Sequence, residues 1–185
     1  MLCGIDEAGR GPIAGPLMVA GVILKEPIEG LNDSKKLTEK RREALYEIII
    51  KKAAYHVVSF QAHEIDTVGL SPLMQKALRE IMQKLQADRY LFDGNTTFGV
   101  EGLDTLVKAD ATVESVKAAS IIAKVTHDRE IYDLDLVHPQ YGLKNHKGYG
   151  TKAHIQAIKE HGYSPIHRRS YKIKALEGLP LIKIS

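Results

Sequence analysis

Four acidic residues stand where short apolar segments of the chain end. Asp6 and Glu7 close the first apolar run, Asp93 follows "YLF", and Asp110 ends "LVKAD". Neighbouring side chains of a strand point to opposite faces, so at least one of Asp6 and Glu7 must face inward or toward the strand end, where an unpaired charge is costly. Sites made only of carboxylates suit hard cations such as Mg²⁺ or Mn²⁺, whereas Zn²⁺ prefers Cys and His. The pattern therefore predicts a divalent-metal site.

The elements that would position these acids alternate between strands and helices. Strands are predicted at 2–6, 17–24, 55–61, 90–93 and 105–108, and helices at 39–52, 71–85, 114–132 and 152–161. Thr38, Ser71 and Thr151 are the expected N-caps, with Pro72 at the first helical position of the second helix. This alternation predicts an α/β fold, a mixed sheet with helices on its faces, in which strand ends bring distant acids together.

Each acid also has a structural explanation. Asp93-Gly94 is a common turn pair, and Asp110 could cap the helix that follows it. If the acids do converge, two cations about 4 Å apart can clamp the attacking and leaving oxygens of a phosphodiester. From this pattern alone, a metal-dependent nuclease and a metal-dependent phosphatase are equally good interpretations.

Length and composition are those of one domain. At 185 residues the chain supports a single core, which we assign to 1–185, with the sheet and helices in about 1–135 and a basic helical segment in about 136–185. The longest apolar run, Leu17 to Leu24, is too short to cross a membrane. The one cysteine, Cys3, cannot form an internal disulfide, which fits a cytoplasmic location.

The charge is unevenly distributed. Between Lys144 and Lys174 there are eight Lys or Arg residues and one acid, Glu160, together with three interleaved tyrosines. Such a segment can neutralise phosphates and stack on sugars or bases, although a solvated basic face is the plain alternative. Five histidines from His138 onward have spacings that match no compact zinc site, so we expect them to contact phosphate or to lie on the surface.

Five motifs occur in a consistent order along nearly the whole chain and together resemble bacterial ribonuclease HII, the type 2 ribonuclease H. They are "GIDEAGRGPIAGP" at 4–16, "NDSKKL" at 32–37, "DGN" at 93–95, "KADATVESVKAASIIAKVTHDRE" at 108–130 and "HKGYGTKAH" at 146–154. The resemblance implies the ribonuclease H-like fold. It also implies cleavage of RNA in RNA–DNA hybrids and incision at single ribonucleotides embedded in duplex DNA.

The same resemblance assigns roles to residues of the site. Asp6, Glu7, Asp93 and Asp110 match the four metal-binding acids of the family. The implied reaction uses Mg²⁺ or Mn²⁺, with two ions during catalysis. A metal-activated water attacks the phosphate 5′ to the ribonucleotide and leaves a 3′-hydroxyl and a 5′-phosphate.

Further residues match substrate contacts of the family. The loop Gly9-Arg10-Gly11 reads the ribose 2′-hydroxyl through its backbone, and Tyr149 stacks on the sugar that follows the ribonucleotide. The other matched positions are expected to contact the phosphate backbone or line the substrate channel: Asn32, Ser34, Lys35, Ser120 and Lys124. Asp128 is interpreted as an acid of the helix face that supports the site.

The resulting prediction is a monomeric, cytoplasmic endoribonuclease that acts on RNA–DNA hybrids and ribonucleotide-containing duplex DNA. The ending "LEGLPLIKIS" has no apparent clamp-binding peptide, so no sliding-clamp tether of that kind is expected. Two alternatives stay open. One is another metal-dependent nuclease of the same fold that ignores the 2′-hydroxyl, and the other is a catalytically silent hybrid-binding module.

Overall fold

A five-stranded mixed sheet forms the centre of the computed structural model, which describes residues 1–178. The strands are β1 (Leu2–Ala8), β2 (Leu17–Leu24), β3 (Ala53–Phe60), β4 (Arg89–Asp93) and β5 (Leu103–Leu106). Their order is β3-β2-β1-β4-β5, with antiparallel pairing of β1, β2 and β3 and parallel pairing of β1, β4 and β5. The predicted mixed sheet is confirmed, and β1, the strand that leads to Asp6 and Glu7, is its central strand.

Helices cover both faces of this sheet. They are α1 (Glu39–Lys52), α2 (Ala62–Val68), α3 (Leu70–Lys84), α4 (Glu114–Val137), the single turn α5 (Leu143–His146), and α6 (Lys152–His161). On one face, apolar side chains of α2 and α3 pack against Ile5 and Val19. On the other face, α1 and α4 pack against Ala20 and Val22. The sheet is therefore buried on both sides.

A glycine in β1 sets the position of α4. A Cβ atom at Gly4 would lie 2.4 Å from backbone atoms of both Ser115 and Val116, in the first turn of that helix. Only a residue without a side chain lets the helix approach the strand this closely. The contact therefore fixes the helix that supplies one wall of the site described below.

Most helix boundaries agree with the sequence pattern. Thr38 caps α1 by accepting a hydrogen bond from the Arg41 backbone N–H, and Thr151 caps α6 in the same way. On α1 the side chains of Leu45 and Ile49 are buried, whereas Ile48 is more than a third exposed. Helix α4 continues five residues beyond the predicted end, to Val137.

Two elements were predicted incorrectly. The sequence pattern missed α2, whose start is stabilised by a reciprocal capping arrangement between Gln61 and Glu64. As a consequence α3 begins at Leu70 after Gly69, and Ser71 is not its cap. Strand β5 lies two residues earlier than predicted, because Lys108 adopts a left-handed conformation with φ of 61°.

The C-terminal segment packs on the loop that follows β1. Ile13 and Ala14 of that loop join Ile131, Tyr141 and Ile158 in a third apolar cluster. Arg168, counted with the basic segment in the sequence, is fully buried, and its guanidinium donates to the carbonyl oxygens of Gly15, Pro16 and Arg10. This cation is therefore occupied by the loop and is not available to a phosphate.

Several C-terminal histidines form part of this packing, so the expectation that they contact phosphate or lie on the surface is wrong for them. His154 and His167 are buried and joined by a 3.1 Å contact between their Nε2 atoms, and the ring of His146 stacks on His154 at 4.3 Å. His154 Nδ1 is also hydrogen-bonded to the backbone carbonyl of Tyr149 at 2.9 Å. The histidines thus support the segment that carries Tyr149.

Protonation of this histidine pair is expected to destabilise the fold in mild acid. Burial lowers the pKa of His154 to about 4 and that of His167 to about 3, from an ordinary 6.5. Between pH 6.5 and about 4 the unfolded chain therefore binds protons that the folded chain does not, so stability present above pH 6.5 is lost as the pH falls. Urea unfolding at pH 7.5, 6.0 and 5.0 measures this loss.

The control for that measurement is His154→Gln, which removes one of the two titrating rings. The buried carboxylates described below act in the opposite direction in acid, so the informative quantity is the difference between the two proteins. A wild-type protein whose free energy of unfolding changes with pH no more steeply than that of His154→Gln would contradict the prediction.

Within residues 1–178, no helix has the length and apolar character that crossing a membrane requires.

Candidate active site

Three carboxylates from distant parts of the chain meet at the carboxyl ends of β1 and β4. One oxygen each from Asp6, Asp93 and Asp110 lies within 4.8 Å of the other two. The parallel register pairs Ile5 of β1 with Phe92 of β4, so the next residue of each strand is an acid. The sheet topology thus brings three of the four predicted metal-binding acids together.

The loop after β5 ties two of these acids to each other. Asp93 accepts hydrogen bonds from the backbone N–H of Lys108 at 2.9 Å and from that of Asp110 at 3.1 Å, one on each carboxylate oxygen. Lys108 is left-handed at this point, a conformation that non-glycine residues seldom adopt. The strained turn and the two hydrogen bonds hold Asp110 beside Asp93.

The cluster carries more negative charge than its surroundings neutralise. Burial, and then the neighbouring charge of Glu7, raise the pKa of Asp6 well above its usual value. The pKa of Asp110 is also raised, first by burial and then by its hydrogen bond and charge interaction with Asp93. Converging carboxylates shift one another's pKa in this way when no cation compensates them.

Glu7 lies at the edge of this cluster and not within the group of three. Its Oε1 is 3.7 Å from a guanidinium nitrogen of Arg10, and burial raises the pKa of its carboxyl despite that partner. Its Oε2 is buried without a hydrogen-bond partner in the described chain, as is Oδ2 of Asp110. The nearest cation to Asp110 Oδ2 is Nζ of Lys35, at 3.5 Å.

These orphaned oxygens test whether the residues fit a metal ion. Buried hydrogen-bond acceptors without a donor are rare and cost free energy. Here these acceptors are oxygens of a cluster made only of carboxylates, the ligands that hard divalent cations prefer. Lys35 is largely exposed and reaches only one of them. The cluster is therefore suited to a divalent cation with a preference for oxygen ligands.

A cavity of about 390 Å³ opens next to the acids. Its walls contain Asp6 and Glu7 together with eight of the nine predicted substrate contacts: Gly9, Arg10, Gly11, Ser34, Lys35, Ser120, Lys124 and Tyr149. The ninth, Asn32, does not line the cavity; it is exposed, and its side chain accepts a hydrogen bond from the Asp33 backbone N–H. Two of the predicted metal-binding acids and most of the predicted substrate contacts thus line one cleft.

The two sides of the cleft are joined by a buried contact between hydroxyl groups. Ser34, in the turn before α1, and Ser120, in α4, have their Oγ atoms 2.8 Å apart. Asp33 caps that turn by accepting from the backbone N–H of Lys35, and Nζ of Lys35 lies 3.5 Å from Oδ2 of Asp110. The "NDSKKL" segment is in this way attached to the helix that forms the opposite wall.

Sequence reasoning predicted no role for two residues of the wall, Ala8 and His127. His127 lines the cavity from α4, is 1% exposed, and has its Nε2 atom buried without a partner among the described residues. A signal existed, because Ser120, Lys124 and His127 are spaced at i, i+4 and i+7 and so share one helical face. Sequence reasoning singled out Asp128, the next residue in the chain, and not His127. Asp128 is buried and accepts a hydrogen bond from Lys124.

The sequence of this chain is similar to those of known proteins over nearly its whole length. The model of the family described as ribonuclease HII matches residues 3–174. A ribonuclease HII of Sulfurovum sp. is 58% identical over 176 residues, which is 95% of this chain and 94% of the relative. The chain belongs to the ribonuclease HII family. A second relative, from Aliarcobacter butzleri, is 54% identical and covers 95% of the chain and 92% of its own length.

Solved structures agree with the assignment to ribonuclease HII. The ribonuclease HII in a complex with PCNA from Archaeoglobus fulgidus matches with a TM-score of 0.81 and 29% identity over 94% of this chain and 96% of that one. The ribonuclease H2 of Pyrococcus horikoshii matches with a TM-score of 0.75 and 30% identity over 92% and 93%. The predicted ribonuclease H-like fold is confirmed, and the chain is an endoribonuclease of the type that acts on RNA–DNA hybrids.

Proposed function

We propose that this ribonuclease HII hydrolyses the RNA strand of RNA–DNA hybrids and also incises 5′ to single ribonucleotides in duplex DNA. The cleavage would leave a 3′-hydroxyl and a 5′-phosphate. The observation that carries the proposal is the placement of the three converging carboxylates beside a cleft whose wall includes the loop Gly9-Arg10-Gly11. A site with the acids alone would support phosphodiester hydrolysis, and the loop adds a means of selecting ribose.

The residues proposed to hold the metal are Asp6, Glu7, Asp93 and Asp110, with two Mg²⁺ or Mn²⁺ ions during catalysis. When bound, such ions activate water and stabilise charge on the scissile phosphate. The chain contributes the geometry, because Asp93 is fixed by two backbone N–H groups and Asp6 accepts from the Glu7 N–H at 2.8 Å. Preorganised ligands of this kind need no rearrangement during the reaction.

The loop Gly9-Arg10-Gly11 is proposed to read the ribose 2′-hydroxyl. Among the residues that the structure describes, the backbone N–H groups of Arg10 and Gly11 donate to no backbone carbonyl. Gly9 has a φ of 85°, and a Cβ atom there would lie 2.3 Å from the carbonyl oxygen of Pro16. Only glycine fits this position, so the backbone itself is presented to the cleft. The 2′-hydroxyl is the group that distinguishes ribose from deoxyribose.

The remaining polar residues are proposed to hold the sugar–phosphate backbone. Ser34, Lys35, Ser120 and Lys124 line the cleft and would contact phosphates near the scissile bond. Asn32, which is exposed and does not line the cleft, is also proposed to contact the phosphate backbone.

The division of the chain into parts is also a proposal. We regard 1–185 as one domain in which about 1–135 carries the acids and about 136–185 contributes basic contacts to the duplex, and we propose that it acts as a monomer in the cytoplasm. One archaeal structural neighbour is described as a complex with PCNA. The absence of a clamp-binding peptide in this chain stays a prediction, because residues 179–185 of the ending on which it rests lie outside the described residues.

The deciding experiment is cleavage of labelled duplex DNA that contains one ribonucleotide, with Mg²⁺, Mn²⁺ or EDTA. An all-DNA duplex and the variant Asp110→Asn serve as controls. We expect one metal-dependent cut 5′ to the ribonucleotide, absent from both controls. Equal cutting of the two duplexes would point to a nuclease that ignores the 2′-hydroxyl. Metal-independent binding without any cutting would point to a silent hybrid-binding module.

Substitution of Tyr149 tests its proposed stacking on the sugar. The side chain is 49% exposed and borders Gly11, where a Cβ atom would lie 3.3 Å from its ring. Tyr149→Ala is expected to slow incision at a single ribonucleotide by about tenfold, as loss of one stacking contact does, with little change in thermal stability. Tyr149→Phe keeps the ring and should retain most of the rate. An unchanged rate for Tyr149→Ala would remove Tyr149 from the site.

A further inference from the structure

His127 occupies a defined place in the wall of the cleft. Its side chain is 1% exposed, and Nδ1 lies 3.0 Å from Oδ1 of Asp128. The same carboxylate oxygen accepts a hydrogen bond from Nζ of Lys124 at 2.8 Å. The imidazole is therefore held from one side by a carboxylate that is itself anchored by a lysine.

This anchoring determines which nitrogen of the ring carries the proton. Burial opposes ionisation of Asp128, but the hydrogen bonds from His127 and Lys124 outweigh it and hold the pKa of the carboxyl below its usual value. An ionised carboxylate only accepts hydrogen bonds, so Nδ1 must donate. In the neutral imidazole Nε2 then bears the lone pair and is an acceptor.

That acceptor has no partner in the described chain. Nε2 of His127 is buried and unpaired, a state that costs free energy for a polar atom. It faces the backbone of the loop after β1, since a Cβ atom built at Gly9 would lie 2.9 Å from it. The free backbone N–H groups of Arg10 and Gly11 follow directly in that loop. An acceptor without a partner and two exposed backbone N–H groups that donate to no backbone carbonyl therefore belong to residues lining the same cleft.

We infer that His127 is a specificity-determining residue whose Nε2 accepts a hydrogen bond from the ribose 2′-hydroxyl. A hydroxyl group both donates and accepts, and backbone N–H groups can satisfy only its oxygen. His127 supplies the complementary acceptor, so a hydroxyl group can pair with both the backbone N–H groups and Nε2 of His127. Deoxyribose has no 2′-hydroxyl and can pair with neither. The inference rests on the proposed function, because it adds a side chain to the recognition assigned there to the backbone.

The test compares the binding of protein variants to two duplexes that differ only in the 2′ group of one nucleotide. Binding is measured by fluorescence anisotropy in an Asp110→Asn background, so that the duplex is not consumed. Each duplex carries, at one position, a nucleotide with either a 2′-hydroxyl group or a 2′-fluoro group, and the 2′-fluoro group cannot donate a hydrogen bond. The background protein should prefer the hydroxyl by about tenfold, the size of one net hydrogen bond.

His127→Leu in this background should reduce the preference to less than about threefold, with most of the loss on the hydroxyl duplex. His127→Phe is a second variant that keeps a planar ring but has no acceptor, and the same reduction is expected. The matched control is His63→Leu, an exposed histidine of α2, which should keep the full preference.

The outcomes separate the two levels of the proposal. An unchanged preference in folded His127→Leu or His127→Phe would overturn the role of His127 and leave the proposed function intact. A background protein that binds the ribonucleotide duplex no better than all-DNA, and shows no preference for the hydroxyl, would overturn the proposed function and the inference together.

Discussion

Asp6→Asn is expected to abolish metal-dependent cleavage and at the same time to stabilise the metal-free protein. Asp6 is buried and contributes one of the three converging oxygens. Loss of activity should exceed about a hundredfold, because replacing even an outer hydrogen-bond partner of a metal ligand typically costs 10–100-fold. The opposite effect on stability follows from the raised pKa of Asp6.

A carboxyl whose pKa is raised in the folded state lowers the stability of the fold at any pH where the unfolded chain ionises it. The stability it provides when protonated is lost as the pH rises through its folded pKa. Asn removes the charge and retains Oδ1, which can still accept from the Glu7 backbone N–H. We therefore expect the free energy of unfolding in EDTA at pH 7.5 to be higher for Asp6→Asn than for the wild-type protein.

Urea unfolding in EDTA and in excess Mg²⁺ separates the two effects. A cation that binds only the folded state adds stability in proportion to its occupancy, so Mg²⁺ should stabilise the wild-type protein more than Asp6→Asn. Asp133→Asn, which changes an exposed acid of α4, is the matched control and should alter neither quantity. A metal-free Asp6→Asn protein less stable than the wild type would show that the charge repulsion inferred for the cluster is absent.

Arg168→Met is expected to be among the most destabilising single substitutions in the chain. The guanidinium donates to the carbonyl of Gly15 at 2.9 Å, to that of Pro16 at 2.8 Å and to that of Arg10 at 3.2 Å. Methionine fills much of the space but leaves the buried carbonyl oxygens of Gly15 and Pro16 unpaired, at about 1–3 kcal/mol for each one. We expect the free energy of unfolding to fall by about 3 kcal/mol or more.

The neighbouring Arg169→Met is the control, because Arg169 is exposed and should change stability by less than about 0.5 kcal/mol. Tyr171→Phe gives an intermediate case, since the Tyr171 hydroxyl donates to the Arg10 carbonyl at 2.7 Å and also accepts from Arg168. Urea unfolding at pH 7.5 compares the three. A change below 1 kcal/mol for Arg168→Met would mean that the loop after β1 does not depend on the C-terminal segment.

The same contact explains why the loop of the cleft could not be understood from its own residues. Gly9, Gly11 and Gly15 indicate an irregular loop, but its shape depends on Arg168, more than 150 positions away in the chain. The local pattern counted Arg168 as one cation of a basic segment. Burial and hydrogen bonding to carbonyls depend on where the chain folds back, which a local pattern does not contain.

Secondary structure was predictable where a local signal dominated. The Thr38 and Thr151 caps, the fully apolar run of β2 and the alanine-rich α4 are each determined by a few neighbouring residues, and all are present. The elements predicted incorrectly depend on geometry at their ends. Helix α2 starts with a Gln61–Glu64 arrangement in place of a hydroxyl cap, and β5 ends at the left-handed Lys108.

The sequence by itself determined the chemical character of this protein. Acids at strand ends predict a divalent-metal site, and five motifs in a consistent order carry the resemblance to ribonuclease HII, because residue types and their order hold that information. Only the tertiary structure decided which groups act together. It placed one carboxylate oxygen each of Asp6, Asp93 and Asp110 within 4.8 Å of the others and set Glu7 at the edge of this cluster. It also placed His127, which had no predicted role, in the wall of the cleft. These facts follow from strand pairing and from the close packing of α4 on Gly4, which are contacts between residues far apart in the chain.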